Sequence, residues 1–235
     1  GGGNVAFDCA RLALRLGAEE VMMACLESRE TMPASEEEIK EGEEEGIWLY
    51  PSRTFTKIVR DENNKVKGVE FLEVATFSFD EDKRLQLETV ENSQHVIEAD
   101  MVIFAVGQRP DIPDGFGIDQ TSGGFVEIDS FSLATSREGV YAAADCVTGT
   151  AFVIKAIASG RKAAIAIDKY LGGRGKIDQK LAPVMQPEKW IGREEGFASL
   201  PRAEGLTASV EERVPSFRQV SVGMDEETAC CEASR

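Results

Sequence analysis

The sequence predicts an α/β protein in which a short antiparallel β meander interrupts the alternation of helix and strand. Three observations carry that prediction. "GGGNVAFDCARLALRLG" (1–17) sets three glycines directly before a stretch whose apolar residues recur at intervals of three and four. "EEVMMACLE" (19–27) and "IWLYP" (47–51) are apolar runs too short for helices, with a helical segment between them. From Thr54 to Glu98 the chain turns into β-rich runs punctuated by turn signals.

Taken in order, Val5, Cys9, Leu12, Ala13 and Leu16 share one face of a helix over 5–16, which Gly17 stops. The run 19–27 reads as a buried parallel strand and "SRETMPA" as a loop. Ser35 opens "SEEEIKEGEEEG" with Glu38 three residues on, a capping-box signature, and Gly46 closes that helix. "IWLYP" is a second buried strand. "TFTKIVR", "VKGVEFLEVATFSF" and "KRLQLETV", separated by "DENNK" and "DEDK", form the meander at 54–98. "ADMVIFAVG" (99–107) returns as a buried strand, and "GFVEIDS" and "GVYAAAD" are two more short ones. Residues 152–171 place Val153, Ala156, Ile157, Gly160, Ala164, Ile167 and Leu171 on one helical face. Beyond "LGGRG" the composition loosens into an extended tail, with a terminal helix over 225–235. The predicted division is 1–108, 109–175 and 176–235.

The 235 residues carry a formal charge of −16 and one histidine, which argues against a nucleic-acid binder. No apolar run is long enough to span a membrane. The five cysteines are scattered without a C-x-x-C pair, which predicts a reduced, cytoplasmic setting and no metal held by this chain alone.

Gly1, Gly3 and Ala6 fit G-x-G-x-x-[GA]. In such a turn the first glycine permits the tight bend, the second lets a pyrophosphate reach the backbone, and the third small residue lets helix and strand pack. The free N–H groups at the start of helix 5–16 would then face the phosphates. The strand that follows ends at Glu27, twenty-four residues after Gly3. That is close to the spacing of about 20 for a carboxylate on a ribose 2′-hydroxyl. Such a Rossmann-like fold needs a strand before Gly1, so the chain reads as a fragment cut near that turn, or as one whose first strand comes from elsewhere.

Four stretches together carry a family resemblance. They are "GGGNVAFDCARLALRLGAEEV…SRETMPASEEEIKEGEEEGI", "ADMVIFAVGQRPD", "GVYAAADCVTGTAFVIKAIASGRKAAIAIDKYLGG" and "ERVPSFRQVSVGMDEETACCEASR". In this order they resemble the glutamate synthase small-subunit (beta chain)-like family of FAD-dependent pyridine nucleotide oxidoreductases. The resemblance implies a nicotinamide-binding Rossmann-like domain carrying the meander, followed by the resumed part of an FAD domain. It implies a hydride path from NAD or NADP to FAD, and electrons onward to iron–sulfur clusters or a partner subunit outside this chain. Carried over residue by residue, Gly1, Gly2, Gly3, Asn4 and Val5 line the pyrophosphate. Ala105, Val106 and Gly107 end a strand beside the nicotinamide half. Asp145 accepts from the flavin's ribityl chain, and the backbone at Phe152 and Val153 faces its carbonyl edge. No side chain is assigned acid–base chemistry, because hydride transfer needs alignment above all. The alternative left open is a nucleotide-binding electron-transfer or regulatory subunit with no substrate of its own.

Two departures from the family pattern carry information. NADPH-using members show two arginines where this chain has Leu26 and Glu27. A carboxylate there repels a 2′-phosphate and accepts from a free ribose hydroxyl, which predicts NADH over NADPH, with Arg29 remaining as a candidate phosphate partner. Ala144 stands where a glycine is usual, and Phe152 where a small polar residue is usual. Cys25 and Cys146 read as structural thiols. Cys230 and Cys231, one apart on a helix, diverge and are poor joint ligands.

Overall fold

The computed structural model describes residues 1–80, 85–177, 201–203 and 205–234, together with Gly196 and Ser199. Most of the "DEDK" turn and much of the 176–220 tail fall outside them. The chain divides into two compact units. One holds Gly1–Gly2, Ala24–Met32 and Pro51–Gln179; the other holds Gly3–Met23, Pro33–Tyr50 and Lys180–Arg235.

The second unit is built on two helices. Helix α1 (Asn4–Arg15) starts from an extended Gly3 and ends where Gly17 adopts φ +97°. There Ala18 N donates to Ala13 O, the longer bond of a glycine-terminated helix end. Helix α2 (Glu36–Glu44) starts at Ser35, whose side chain accepts from Glu38 N at 3.3 Å. Glu36, Glu37 and Glu38 in its first turn complement the positive end of the helix dipole. Gly46 (φ +91°) lets Ile47 N donate back to Gly42 O.

The two helices pack together, and Phe7 of α1 and Ile39 of α2 are the two largest fully buried side chains among the described residues, with Ala6, Ala10 and Ile47 also buried. A Cβ on Gly42 would sit 2.7 Å from the Phe7 ring, so only glycine permits this approach. The buried face of α1 is therefore Ala6, Phe7 and Ala10, not the predicted stripe: Val5, Leu12 and Leu16 are exposed. The helix carries two apolar stripes, and the groove at Gly42 selects the one bearing Phe7. Strands β1 (Met22–Ala24) and β2 (Trp48–Tyr50) form a two-stranded sheet. Met23 is buried, whereas Trp48 is mostly exposed, so β2 is not the buried strand its apolar run predicted.

In the other unit, β3 (Arg53–Arg60), β4 (Val66–Phe79), β5 (Leu85–Thr89) and β6 (His95–Glu98) form an antiparallel sheet that departs from a simple meander, because β6 returns to pair with β4 and not with its sequence neighbour β5. Strand β4 is central. Its Val69 faces Ile58 of β3 and Ile97 of β6 and is buried. The "DENNK" turn closes because Asp61 Oδ1 accepts from Asn63 N and Lys65 N, with Asn64 at φ +63°.

Three predicted elements differ. Residues 101–107 form no strand, and Met101, Ile103, Phe104 and Val106 are exposed. A strand exists only where a neighbour supplies its ladder, and no described residue pairs with this run. The two short strands beyond it reduce to isolated bridges: Gln120 with Val126, Ile128 with Thr135, and Ala134 with Tyr141. The long helix forms as α4 (Val153–Tyr170), after the short α3 (Asp145–Thr148), but its apolar stripe, including Val153, Ile157 and Leu171, lies exposed.

The chain's last described stretch belongs to the α1–α2 unit. Strands β7 (Leu206–Thr207) and β8 (Ser221–Gly223) pair antiparallel around α5 (Val210–Arg213). The terminal helix is α6 (Glu226–Ser234).

Candidate functional site

The residues leaving β1 are held on both sides by backbone. Gly1 N donates to Ala24 O at 2.9 Å, while Arg53 N and Ser52 N donate to Cys25 O and Glu27 O at 2.7 Å each. This fixes where the Glu27 carboxylate emerges. A Cβ built on Gly2 would lie 3.1 Å from Glu27 Oε2, 3.0 Å from Cys25 Cβ and 3.1 Å from its Sγ. Gly2 is buried against these two side chains, so Gly2 and Glu27 are in direct contact; the expected 19–27 strand is only Met22–Ala24, and Glu27 lies in the bend that follows it. Burial, then the nearby Glu27 carboxylate, pushes the Cys25 thiol up to about 11. It is a packed thiol rather than a nucleophile. Arg29 opens a 3₁₀ turn (Arg29–Thr31) tied by the Ser28 and Thr31 side chains.

In the other unit, α1 begins with no side-chain cap and no acidic residue in its first turn. Its opening N–H groups have no acceptor within the helix. A Cβ on Gly3 would meet nothing nearer than Pro33 Cγ at 4.0 Å, so its backbone stays approachable. Asn4 and Val5 are exposed. The donor set of neutral backbone amides at a helix start suits a diphosphate. The Asn4 side chain is used otherwise: its Oδ1 accepts from Ser35 N at 2.8 Å.

A third set lies at α3 and α4. Ala144, Asp145, Thr148, Ala151, Lys155, Ala156 and Ser159 line a pocket of about 320 Å³. Asp145 opens α3, and Phe152 precedes α4 without a side-chain cap, leaving amides at the start of that helix for an acceptor. A carboxylate beside uncapped amides matches the hydroxyl donors and carbonyl acceptors of a flavin's ribityl chain and ring edge. Lys155 Nζ stands 5.6 Å from the centre of the Phe152 ring. Ala144 adopts φ +61° and ψ −146°, a conformation that favours glycine.

The structure thus brings Gly2 together with Glu27, and Asp145 with the start of α4. It leaves Ala105, Val106 and Gly107 in an unpaired segment, anchored by the edge-on contact of Phe104 with Phe55 at 5.2 Å. Sequence reasoning missed the Asn4–Ser35 bond. An Asn directly after the glycines and a Pro two residues before a helix cap were the available signals. Among the described residues no group of three or more His, Cys, Asp or Glu is placed to hold a metal ion, and no helix is long and apolar enough to cross a membrane.

The profile of the pyridine nucleotide-disulphide oxidoreductase family matches residues 1–160. The NADP(+)-dependent formate dehydrogenase subunit beta of Moorella thermoacetica is 35% identical over 246 residues, covering 100% of this chain and 34% of that protein. The glutamate synthase [NADPH] small chain of Azospirillum brasilense is 35% identical over 189 residues, covering 77% of this chain and 38% of the relative. The chain therefore spans little more than a third of these relatives. Among solved structures, the thioredoxin reductase of T. acidophilum superposes with a TM-score of 0.52 at 25% identity, covering 73% of this chain and 50% of that one.

Proposed function

Because the chain belongs to the pyridine nucleotide-disulphide oxidoreductase family, we propose that it is the nicotinamide-binding part, with a portion of the flavin-binding part, of an oxidoreductase fed by NADH. Residues 1–108 bind the dinucleotide, and residues 109–175 contribute to the flavin site. Electrons leave toward iron–sulfur clusters or a partner subunit beyond this chain, in the cytoplasm.

The observation that carries the reading is the contact between Gly2 and Glu27. Gly2 and Glu27 form a single corner, with the carboxylate carried on the bend after β1, whose backbone accepts from Arg53 N and Ser52 N while Gly1 N donates to Ala24 O. In this reading Gly1, Gly3 and the first amides of α1 hold the pyrophosphate, and Glu27 accepts from both ribose hydroxyls. Two charges at close range in a partly wet site interact with a few kcal/mol, enough for about a hundredfold discrimination against a 2′-phosphate. The two relatives are named for NADP; the pair Leu26–Glu27 is what separates this chain from a phosphate-binding corner. Asp145 accepts from the ribityl hydroxyls, and the amides at Phe152 and Val153 donate to the ring's carbonyl edge. FAD, when bound, supplies the conversion of a two-electron donor into single electrons.

The test uses the full-length polypeptide that contains this chain. Flavin bleaching is followed with NADH and with NADPH, and binding of each is titrated. A preference for NADH of about a hundredfold is the expected result, and Glu27→Arg should narrow or reverse it. Equal or faster use of NADPH overturns the assignment of Glu27. Binding of neither nucleotide overturns the whole reading.

A further inference from the structure

We propose that Asn4 is a positioning residue for dinucleotide binding: its side-chain carbonyl fastens the Pro33–Ser35 corner beside Gly3, and this keeps the opening in front of the α1 amides at a fixed width. The inference rests on the dinucleotide reading and deepens it.

Four features support it. Ser35 is the N-cap of α2, so its own N–H has no acceptor within that helix. Asn4 Oδ1 takes that N–H at 2.8 Å, joining the first residue of α1 to the cap of α2. Pro33 in the same corner has no N–H of its own and meets Gly3 at ordinary van der Waals range, while Ala34 between them is buried. The corner therefore has the Asn4 bond as its hydrogen-bonded attachment to the turn. Finally, the N-cap of α1 is Gly3, which has no side chain to cap the helix with. Asn4 sends its acceptor to the neighbouring corner, and α1 stays uncapped.

The same geometry explains why the residue is Asn. Asp would accept equally well from Ser35, but it would set a full negative charge at the amides meant for a diphosphate. Leu or Ala would leave those amides free and release the corner.

The experiment uses the full-length polypeptide and NADH as the probe. Asn4→Ala is compared in two backgrounds, wild type and Ser35→Pro. Ser35 has φ −65°, which proline accepts, so this change removes the N–H without forcing the backbone. Ser35→Ala, which loses the cap on Glu38 but keeps the N–H, is the control. Asn4→Ala should weaken NADH binding about fivefold, the worth of one net hydrogen bond, and speed hydrogen exchange at the Ser35 amide. In the Ser35→Pro background it should change NADH binding no further. Asn4→Asp should keep Ser35 protected while weakening NADH binding in a salt-dependent way.

An equal loss from Asn4→Ala in both backgrounds would mean that Asn4 contacts the dinucleotide directly, and would overturn the proposal. Unchanged exchange at Ser35 in Asn4→Ala would overturn it independently of any nucleotide. Failure of the wild-type protein to bind NADH defeats the parent reading and this role together, which separates that failure from the other two.

Discussion

Arg213 and Glu45 form a buried ion pair at 3.1 Å that ties the late part of the chain to the end of α2. The Glu45 side chain has no exposed surface, and it also receives Arg11 at 2.9 Å and Arg15 at 2.8 Å. Arg213 reaches Glu44 at 2.8 Å, and Arg11 also engages Glu38 and Glu41. Replacing Glu45 by Ala would take the buried carboxylate from three guanidinium groups, leaving Arg11 with Glu38 and Glu41 and leaving Arg213, 3% exposed at its side chain, with Glu44. Breaking one partner from a buried pair costs about 3–5 kcal/mol. Glu45→Ala should therefore lower the urea midpoint of unfolding sharply. A change within about 0.5 kcal/mol, the range of an ordinary surface substitution, would show that the cluster contributes nothing.

The same carboxylate gives stability a pH dependence with a definite sign. Burial alone would raise the Glu45 carboxyl, but hydrogen bonds from Arg15 and Arg11 outweigh it and hold the group below the ordinary carboxylate range. A group whose folded value is depressed stabilises the fold above its unfolded value, about 4.3 for Glu. That stabilisation is lost as pH falls from there through the folded value. Wild type should lose stability between about pH 5 and pH 3, and Glu45→Gln should flatten part of that slope. Denaturation midpoints across that window check it, and identical slopes in the two proteins would rule the assignment out.

Gly42 is the tightest glycine between the two helices. Its missing Cβ leaves room for the Phe7 ring, which a methyl group would approach to 2.7 Å. Ala is the better helix former by about 1 kcal/mol, so propensity and packing disagree in sign here. Phe7 is fully buried, and overpacking a dense core costs about 1–3 kcal/mol. Gly42→Ala should therefore destabilise, and Gly42→Ala with Phe7→Leu should recover part of the loss. Thermal unfolding of the pair of variants decides the sign.

How much of this was legible in the sequence depended on whether the information was local. Gly17, Gly46 and the Ser35 N-cap end or start their helices as read, because each sets its own backbone or bonds within a few residues, but the return half of the expected capping box does not form: Ser35 N donates to Asn4 and the Glu38 carboxylate pairs with Arg11. The antiparallel β3–β4 hairpin was equally legible, since Asp61 and Asn64 close adjacent strands, but the return of β6 to β4 was not. The errors fall where a distant neighbour decides. Residues 101–107 are strand-like in composition, but a ladder partner is not written into the run itself. The choice between the two stripes of α1 was made by Gly42, thirty-five positions beyond Phe7. In the candidate site, spacing singled out Glu27 and the structure sets it against Gly2, whereas the Asn4–Ser35 bond needed the packing of α1 beside α2.

The cysteines divide by environment, which makes a prediction about reactivity. Burial and the Glu27 carboxylate hold the Cys25 thiol protonated, up to about 11, and only the thiolate is a nucleophile. Cys230 and Cys231 are exposed on α6. Brief treatment with iodoacetamide at pH 8 should label Cys230 and Cys231 and leave Cys25 unmodified, as read by peptide mass spectrometry. Labelling of Cys25 at the rate of the α6 pair would contradict the packed corner around Gly2.

Ala144 carries a backbone that its side chain opposes. Its φ of +61° with ψ −146° belongs to a region that is essentially glycine's, and it is held there by α3, whose Val147 and Thr148 amides donate to Ala144 O at 2.9 and 3.0 Å. Such a residue stores about 1–3 kcal/mol of strain, while glycine adds about 1 kcal/mol of unfolded-state entropy. The net expectation for Ala144→Gly is a gain of about 1 kcal/mol. Because Ala144 also lines the pocket with Asp145, losing its methyl enlarges that pocket, which the proposed function gives to the flavin's ribityl chain. Ala144→Gly should therefore raise the unfolding midpoint and slow flavin loss on dilution, and Ala144→Val should do the reverse. If the glycine variant were less stable than wild type, the strain at Ala144 would not be real, and the tighter flavin retention would have no cause.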